Sequence, residues 1–328
     1  MGYSITTSSE LQTSFMLIFF ISIGLSANFA KLKEGGKSLF IFLLVVSAFI
    51  IIQNFVGISL ATALGIDPLI GLIAGSITLT GGHGTAGAWG EILETKYGIE
   101  GAMALGMAAA TFGLVMGGII GGPLAKFLIN RYKLKKEKEN SVVEKEEKVI
   151  DEFVPFEYPA AVRLITTNSA ITTLGLFAAC LAISDFMTGI AKNTPFELPT
   201  FVWALATGVL LRNILENILK VEIFDRAIDV FGNASLSLYL AMALLSLKLW
   251  QLSNLAGALT IILISQVLIM ILYAYFVTFR VMGKNYDASV LAAGHCGFGL
   301  GATPTAVANM QAITNMYGPS LRADHIAS

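Results

Sequence analysis

Residues 71–90 read GLIAGSITLTGGHGTAGAWG, and residues 293–312 read AGHCGFGLGATPTAVANMQA. Both stretches are apolar yet crowded with Gly, Ser, Thr and Pro. They make poor helices, because an interior Gly costs about 1 kcal/mol relative to Ala. Non-helical backbone at membrane depth is tolerated only where protein or a water-filled cavity satisfies its polar groups. Segments 67–97 and 286–317 are therefore expected to be re-entrant, each a helix in, a broken turn, and a return to the same side.

The rest of the chain supports a membrane setting. Of 328 residues, 55% are hydrophobic and only 13% charged, against about 25% charged in soluble domains. The stretch 126–163 alone holds 17 of the 43 charged side chains. Too few charges remain to solvate a folded surface, which excludes a cytosolic enzyme, a nucleic-acid binder and a disordered chain. A membrane crossing takes about 20 apolar residues in a helix. Such stretches occur near 13–30, 38–64, 99–125, 163–190, 198–219, 229–250 and 255–280. The fold class is therefore an all-α polytopic membrane protein. The net charge of −1 gives no steering toward an acidic or basic partner. Cys180 and Cys296 lie in apolar stretches, and neither they nor His83, His295 and His325 have metal-ligand spacing. The opening MGYSITTSSELQ has no basic region leading into an apolar one, so it does not read as a cleavable signal.

Basic residues orient the spans, since cytoplasmic loops are rich in Lys and Arg. The cytoplasmic groups are Lys31, Lys33 and Lys37; Lys126, Arg131, Lys133, Lys135 and Lys136; Arg163; Arg212, Lys220 and Arg226; and Arg280 with Lys284. Placing all of them in the cytoplasm gives one consistent threading and leaves Lys96, Lys192 and Lys248 outside. Segment 67–97 then enters from outside and 286–317 from the cytoplasm, so that the two breaks point at each other.

Sliding the chain against itself by 220 residues aligns the two segments without a gap. Asp67 falls on Asp287, Gly81 on Gly301, Thr85-Ala86 on Thr305-Ala306, and Tyr97-Gly98 on Tyr317-Gly318. With the orientation above, this reads as an inverted-topology repeat, the architecture of many secondary transporters. The expected division is an N-terminal repeat over 1–125, a charged cytoplasmic linker over 126–162 and a C-terminal repeat over 163–328. Each copy lacks spans that the other has, so the chain is expected to be truncated at both ends.

Chemistry is expected at the two breaks. Ser76, Thr78, Thr80, His83 and Thr85 supply polar groups in the first, and Gly81, Gly82 and Gly84 let backbone or ligand approach closely. In the second, Pro304 removes a donor and restricts Thr303. Gly299 and Gly301 loosen the approach, and Thr303, Thr305 and Asn309 are polar candidates. Half-helix N-termini attract anions, while freed carbonyls hold cations. His83 reads as a proton carrier, a substrate donor or a structural donor, with no acidic or histidine partner in view. The glycines of 101–122 read as helix packing. Asp67 and Asp287 read as caps, and Gln53 and Asn54 face either the transport path or a neighbouring helix.

SITLTGGHGTAGAW (76–89) and GKNYDASVLAAGHCGFGLGATPTAVANMQAI (283–313) closely resemble the two signature regions of the bacterial sodium:glutamate symporter family. NTPFELPTFV (193–202), GNASLSLYLAMALLSLKLW (232–250) and GLVMGGIIGGP (113–123) are similar to it as well. The resemblance implies two inverted five-span domains joined by a cytoplasmic linker, and sodium-coupled glutamate uptake across the inner membrane as a homodimer. It implies no cofactor besides the coupling ion. Glutamate, sodium and the lipid bilayer are the expected partners. On this reading the tips at 80–85 and 301–305 meet around the substrate, with loop carbonyls, Thr85 and Thr305 toward sodium. The alternatives are a symporter of the same architecture for another small carboxylate, driven by protons, or an inactive transporter fragment. No charged ring supports a channel, and no base–nucleophile pair supports an enzyme.

Overall fold

The computed structural model describes residues 9–29, 36–134, 164–195, 197–221, 223–246, 255–301 and 303–320. Most of the linker, from residue 135 on, lies outside them, as do Lys31, Lys33, Lys248 and the final octapeptide. The described residues form helices. These are α1 (Ser9–Ser26), α2 (Gly36–Ala63), α3 (Pro68–Ile77), α4 (Gly82–Thr95), α5 (Ala102–Tyr132) and α6 (Thr167–Ala191). They continue with α7 (Thr200–Ile218), α8 (Asp225–Ser246), α9 (Ala256–Val281), α10 (Tyr286–Gly301) and α11 (Thr303–Tyr317). Six of them, α2 and α5 to α9, are long and apolar enough to cross a membrane. The expected span near 13–30 appears as the shorter apolar α1. The protein is an all-helical, multi-pass membrane protein.

Its apolar side chains turn outward as readily as inward. Ile51 and Phe55 are each 70% exposed and Ile119 is 58% exposed, because lipid tails are as apolar as leucine and give helices no hydrophobic reason to associate. Close backbone approach associates them instead. A Cβ on Gly113 of α5 would overlap the Leu300 carbonyl of α10, and Gly57 of α2 and Gly71 of α3 face each other in the same way. Within 101–122, Gly106, Gly113, Gly117 and Gly121 are packed closely against neighbouring helices, whereas Gly122 has nothing near it.

Two packed bodies result, each drawing on both halves of the chain. One holds α2, α3, α5, α9, α10 and α11, around Phe49, Ile73, Leu105, Met270 and Leu300. The other gathers α1, α6, α7 and α8, around Ile21, Leu25, Phe177 and Ile228. Helix α4 joins them: its Gly84 meets Phe19 of α1, its Gly87 meets Tyr239 of α8, and its Gly90 meets Met103 of α5.

Two pairs of helices related by the 220-residue shift, α1 with α8 and α2 with α9, pack against one another. Both pairs pack antiparallel. Gly232 of α8 lies against Ser22 of α1, and Ser26 donates to Asp229. Tyr273 of α9 donates to the Val45 carbonyl of α2, and Gln266 donates to that of Gln53.

Candidate binding site at the two helix breaks

Helical geometry is interrupted in each segment. Asp67 caps α3, accepting from the Leu69 amide at 2.8 Å, and Pro68 fits the first helical position, where no amide donor is needed. Helix α3 loses regular geometry at Gly75 (φ −99°, ψ −132°), inside a π turn over Ile73–Ile77. The chain then turns through Thr80 and Gly81 into α4, with Gly82 at φ +75°. Only a residue without Cβ adopts that conformation cheaply. In the second segment α10 stays helical through Gly297, Gly299 and Gly301, and ends ahead of Pro304. Pro304 falls in the first turn of α11; its side chain, like residue Ala302, lies outside the described residues. At the α10 N-terminus it is Asn285 that accepts from the Ala288 amide, while Asp287 accepts from Ser320. Asp67 is thus seen capping its helix.

Helices α10 and α11 fold back on one another. Gly294 packs against Met310 and Gly297 against Ala306. Asn309 Nδ2 donates to the Ala293 carbonyl at 3.1 Å and to the Gly117 carbonyl of α5 at 2.9 Å. Asn309 is thus a clamp between three helices. In the first segment α3 runs back along α2, placing Ser76 beside Asn54, and α4 lies antiparallel to α5.

The tips meet. Thr80 Oγ1 donates to Gln53 Oε1 at 2.9 Å and lies 3.3 Å from the Gly299 carbonyl, and Gln53 Nε2 donates to the same carbonyl at 3.0 Å. A fully buried glutamine on α2 therefore ties one broken segment to the other. Asn54 Oδ1 accepts from the Ser76 amide at 3.1 Å, which satisfies an amide near the kink. Beneath the junction, the Gly113 position of α5 is touched by both Leu79 and Leu300.

The hydroxyls of each break tie it together. Thr78 Oγ1 donates to the Ile73 carbonyl at 2.7 Å. Thr85 Oγ1 donates to Ile77 at 2.7 Å and Gly82 at 3.1 Å, and Thr305 Oγ1 to Gly301 at 2.9 Å. Each still has oxygen lone pairs to offer. Gly81 is exposed and Gly84 buried, while Thr303 is exposed at the start of α11. His83 is half-buried, with Nε2 3.0 Å from Thr111 Oγ1 of α5. Gln53 and Asn54 thus belong at the junction, and Gln266 and Thr111 join it without having been singled out in the sequence. The mid-helix cost that marked Gln53 applies equally to Gln266, a lone amide in an apolar span.

The profile of the sodium/glutamate symporter family matches residues 1–319. This chain belongs to the sodium/glutamate symporter family. A sodium/glutamate symporter of Haemophilus influenzae is 51% identical over 322 residues, covering 98% of this chain and 78% of the relative. One from Escherichia coli K12 is 50% identical over the same coverage. No solved structure matches the chain significantly. Family membership implies a transporter, and the segments 76–89 and 283–313 meet at Thr80 and Gly299.

Proposed function

We propose that this symporter carries sodium and glutamate together across the bacterial inner membrane, with both bound where the two helix breaks meet. The placement rests on one observation: Thr80 and the Gly299 carbonyl, from opposite segments, are joined through Gln53. Helices α4 and α11 both begin at the breaks, where first-turn amides lack intrahelical acceptors and the dipole favours negative charge. Two such ends suit the two carboxylates of glutamate. No arginine lies in 71–90 or 293–312 to clamp them, so first-turn amides and the hydroxyls of Ser76 and Thr303 carry the anion. Sodium, a hard cation, takes oxygens: loop carbonyls with Thr85 and Thr305. Sodium entry down a membrane potential releases about 2.3 kcal/mol per charge per 100 mV, which drives uptake of the anion.

The two halves are read as an inverted repeat with re-entrant segments 67–97 and 286–317. The antiparallel α1–α8 and α2–α9 pairs support this. The linker 126–162 is placed in the cytoplasm, as the basic ends of α5 and α7 suggest, and the working unit is a homodimer. The family assignment favours sodium and glutamate over another carboxylate or proton coupling.

Labelled glutamate uptake into proteoliposomes, with and without an inward sodium gradient, tests the reading. Thr80→Val should lower sodium-driven uptake about tenfold or more, the effect of leaving one buried acceptor unpaired at ~1–3 kcal/mol. Unchanged uptake by the Thr80 variant would remove the junction from the transport path.

A further inference from the structure

His295 is fully buried in α10, and the transport site described above does not use it. Its Nδ1 lies 2.7 Å from the Oγ1 of Thr278, a fully buried residue in the π turn Ala274–Thr278 of α9. Its Nε2 is buried and has no hydrogen-bond partner among the described residues. Phe42, Phe49 and Tyr273 stand steeply inclined to the imidazole, with ring centroids 5.7, 5.4 and 5.8 Å away. A charge among three such rings is costly to bury, so a neutral imidazole with one ring proton fits them. A lone pair on Nε2 gains nothing in these surroundings, whereas an N–H there is attracted to an aromatic face. With the proton on Nε2, Nδ1 is the acceptor and the Thr278 hydroxyl the donor.

What this bond holds lies one turn further on. Gly299 follows His295 by four residues and shares its face of α10. A Cβ on Gly299 would come within 2.7 Å of Met270 Sδ and 3.0 Å of Phe49 Cε1, so α10 is pressed onto α9 and α2 here. Phe49 therefore meets both His295 and Gly299. Gln53, one turn beyond Phe49 on α2, donates to the Gly299 carbonyl at 3.0 Å, and Thr80 lies 3.3 Å from the same oxygen. Tyr273 ties α9 to α2 in turn, donating to the Val45 carbonyl. Apolar contact sets how closely α10 approaches its neighbours. A hydrogen bond is directional, and so also sets how the helix is turned about its axis.

We propose that His295 is a positioning residue for transport: a neutral imidazole protonated on Nε2, whose Nδ1 accepts from Thr278 and so holds α10 at the rotation that presents the Gly299 carbonyl to Gln53 and Thr80. The proposal rests on the reading that glutamate and sodium bind at this junction. Without the bond the carbonyl is free to turn away from its donors, and binding weakens even where the fold survives.

The test measures sodium-driven glutamate uptake into proteoliposomes across a range of glutamate concentrations, separating KM from the maximal rate. Thr278→Val keeps the side-chain shape and removes the donor, and His295→Phe keeps a ring and removes the acceptor. Each should raise KM about tenfold, the effect of one lost buried hydrogen bond at ~1.4 kcal/mol, while Thr278→Ser keeps the parent's KM. The double variant should be no worse than the worse single one, because both changes delete the same bond. The parent's KM in a folded Thr278→Val protein, with only the maximal rate or the melting temperature lowered, overturns the proposal. Nitrogen-15 NMR of the histidine-labelled parent tests it without any substitution: His295 should show a protonated Nε2 and an unprotonated Nδ1, and a proton on Nδ1 overturns it. Impaired uptake by Thr80→Val beside an unchanged KM in Thr278→Val strikes this inference and leaves the junction standing. Unchanged uptake by Thr80→Val strikes the junction, and this inference with it.

Discussion

Thr85 and Thr305 fall on each other under the 220-residue shift, and each hydroxyl donates to a backbone carbonyl at its own break. Each also lies against the glycine four residues before it, Gly81 and Gly301. Removing either hydroxyl should both loosen a turn and delete an oxygen. Thr85→Ala and Thr305→Ala should therefore cut sodium-driven uptake about tenfold, ~1.4 kcal/mol each, with Thr→Ser restoring most of it. Equal sodium-dependent uptake by the Ala variants and the parent would remove both from the site. At this scale the sequence was legible where polarity stood out against an apolar background. TGGHGT (80–85) and the pair Gln53-Asn54 were visible for that reason. Gln266 met the same test, but one amide in ISQVL carries no neighbouring signal, and its meaning comes from the Gln53 carbonyl and Gly75 beside it.

Helix-scale features follow from glycine and proline. The two C-terminal glycines aligned by the shift, Gly98 after α4 and Gly318 after α11, both take positive φ, at +70° and +107°. A left-handed residue after the last turn is the usual helix stop, so these ends were readable in the chain. In the second segment the glycines stay helical, and α10 ends at Gly301, ahead of Pro304. Small residues on α5 differ in what they face. Gly113 is closed by the Leu300 carbonyl, whereas Gly122 has nothing near it. Gly113→Leu should cost ~1–3 kcal/mol or more through overpacking and lower the folded yield in size-exclusion chromatography. Gly122→Leu should leave that yield near the parent's. Asn309→Leu, which cannot donate to Gly117 and Ala293, should lower the melting temperature by the ~1–3 kcal/mol of unpaired buried carbonyls.

The whole molecule answers to the bilayer. The inverted threading predicts that Cys at Lys37 and Lys284 is labelled from the cytoplasmic face and Cys at Lys96 from the opposite one. Impermeant maleimide on intact cells, then on opened vesicles, reads this out, with the native Cys180 and Cys296 buried and silent. Labelling of Lys37 and Lys96 positions from the same side would break the threading. Membrane character, all-helical class, six of the seven expected spans and the family were legible in the sequence alone, because length, hydropathy and glycine patterning act locally along the chain. Only the tertiary structure decided that α1 leaves its own half to pack with α6, α7 and α8, and that Gln53 links Thr80 to Gly299 across 219 residues of sequence. In lipid, helix partners are chosen by backbone fit and by the pairing of polar groups. Such fits are properties of two surfaces at once, and no single stretch of sequence contains both.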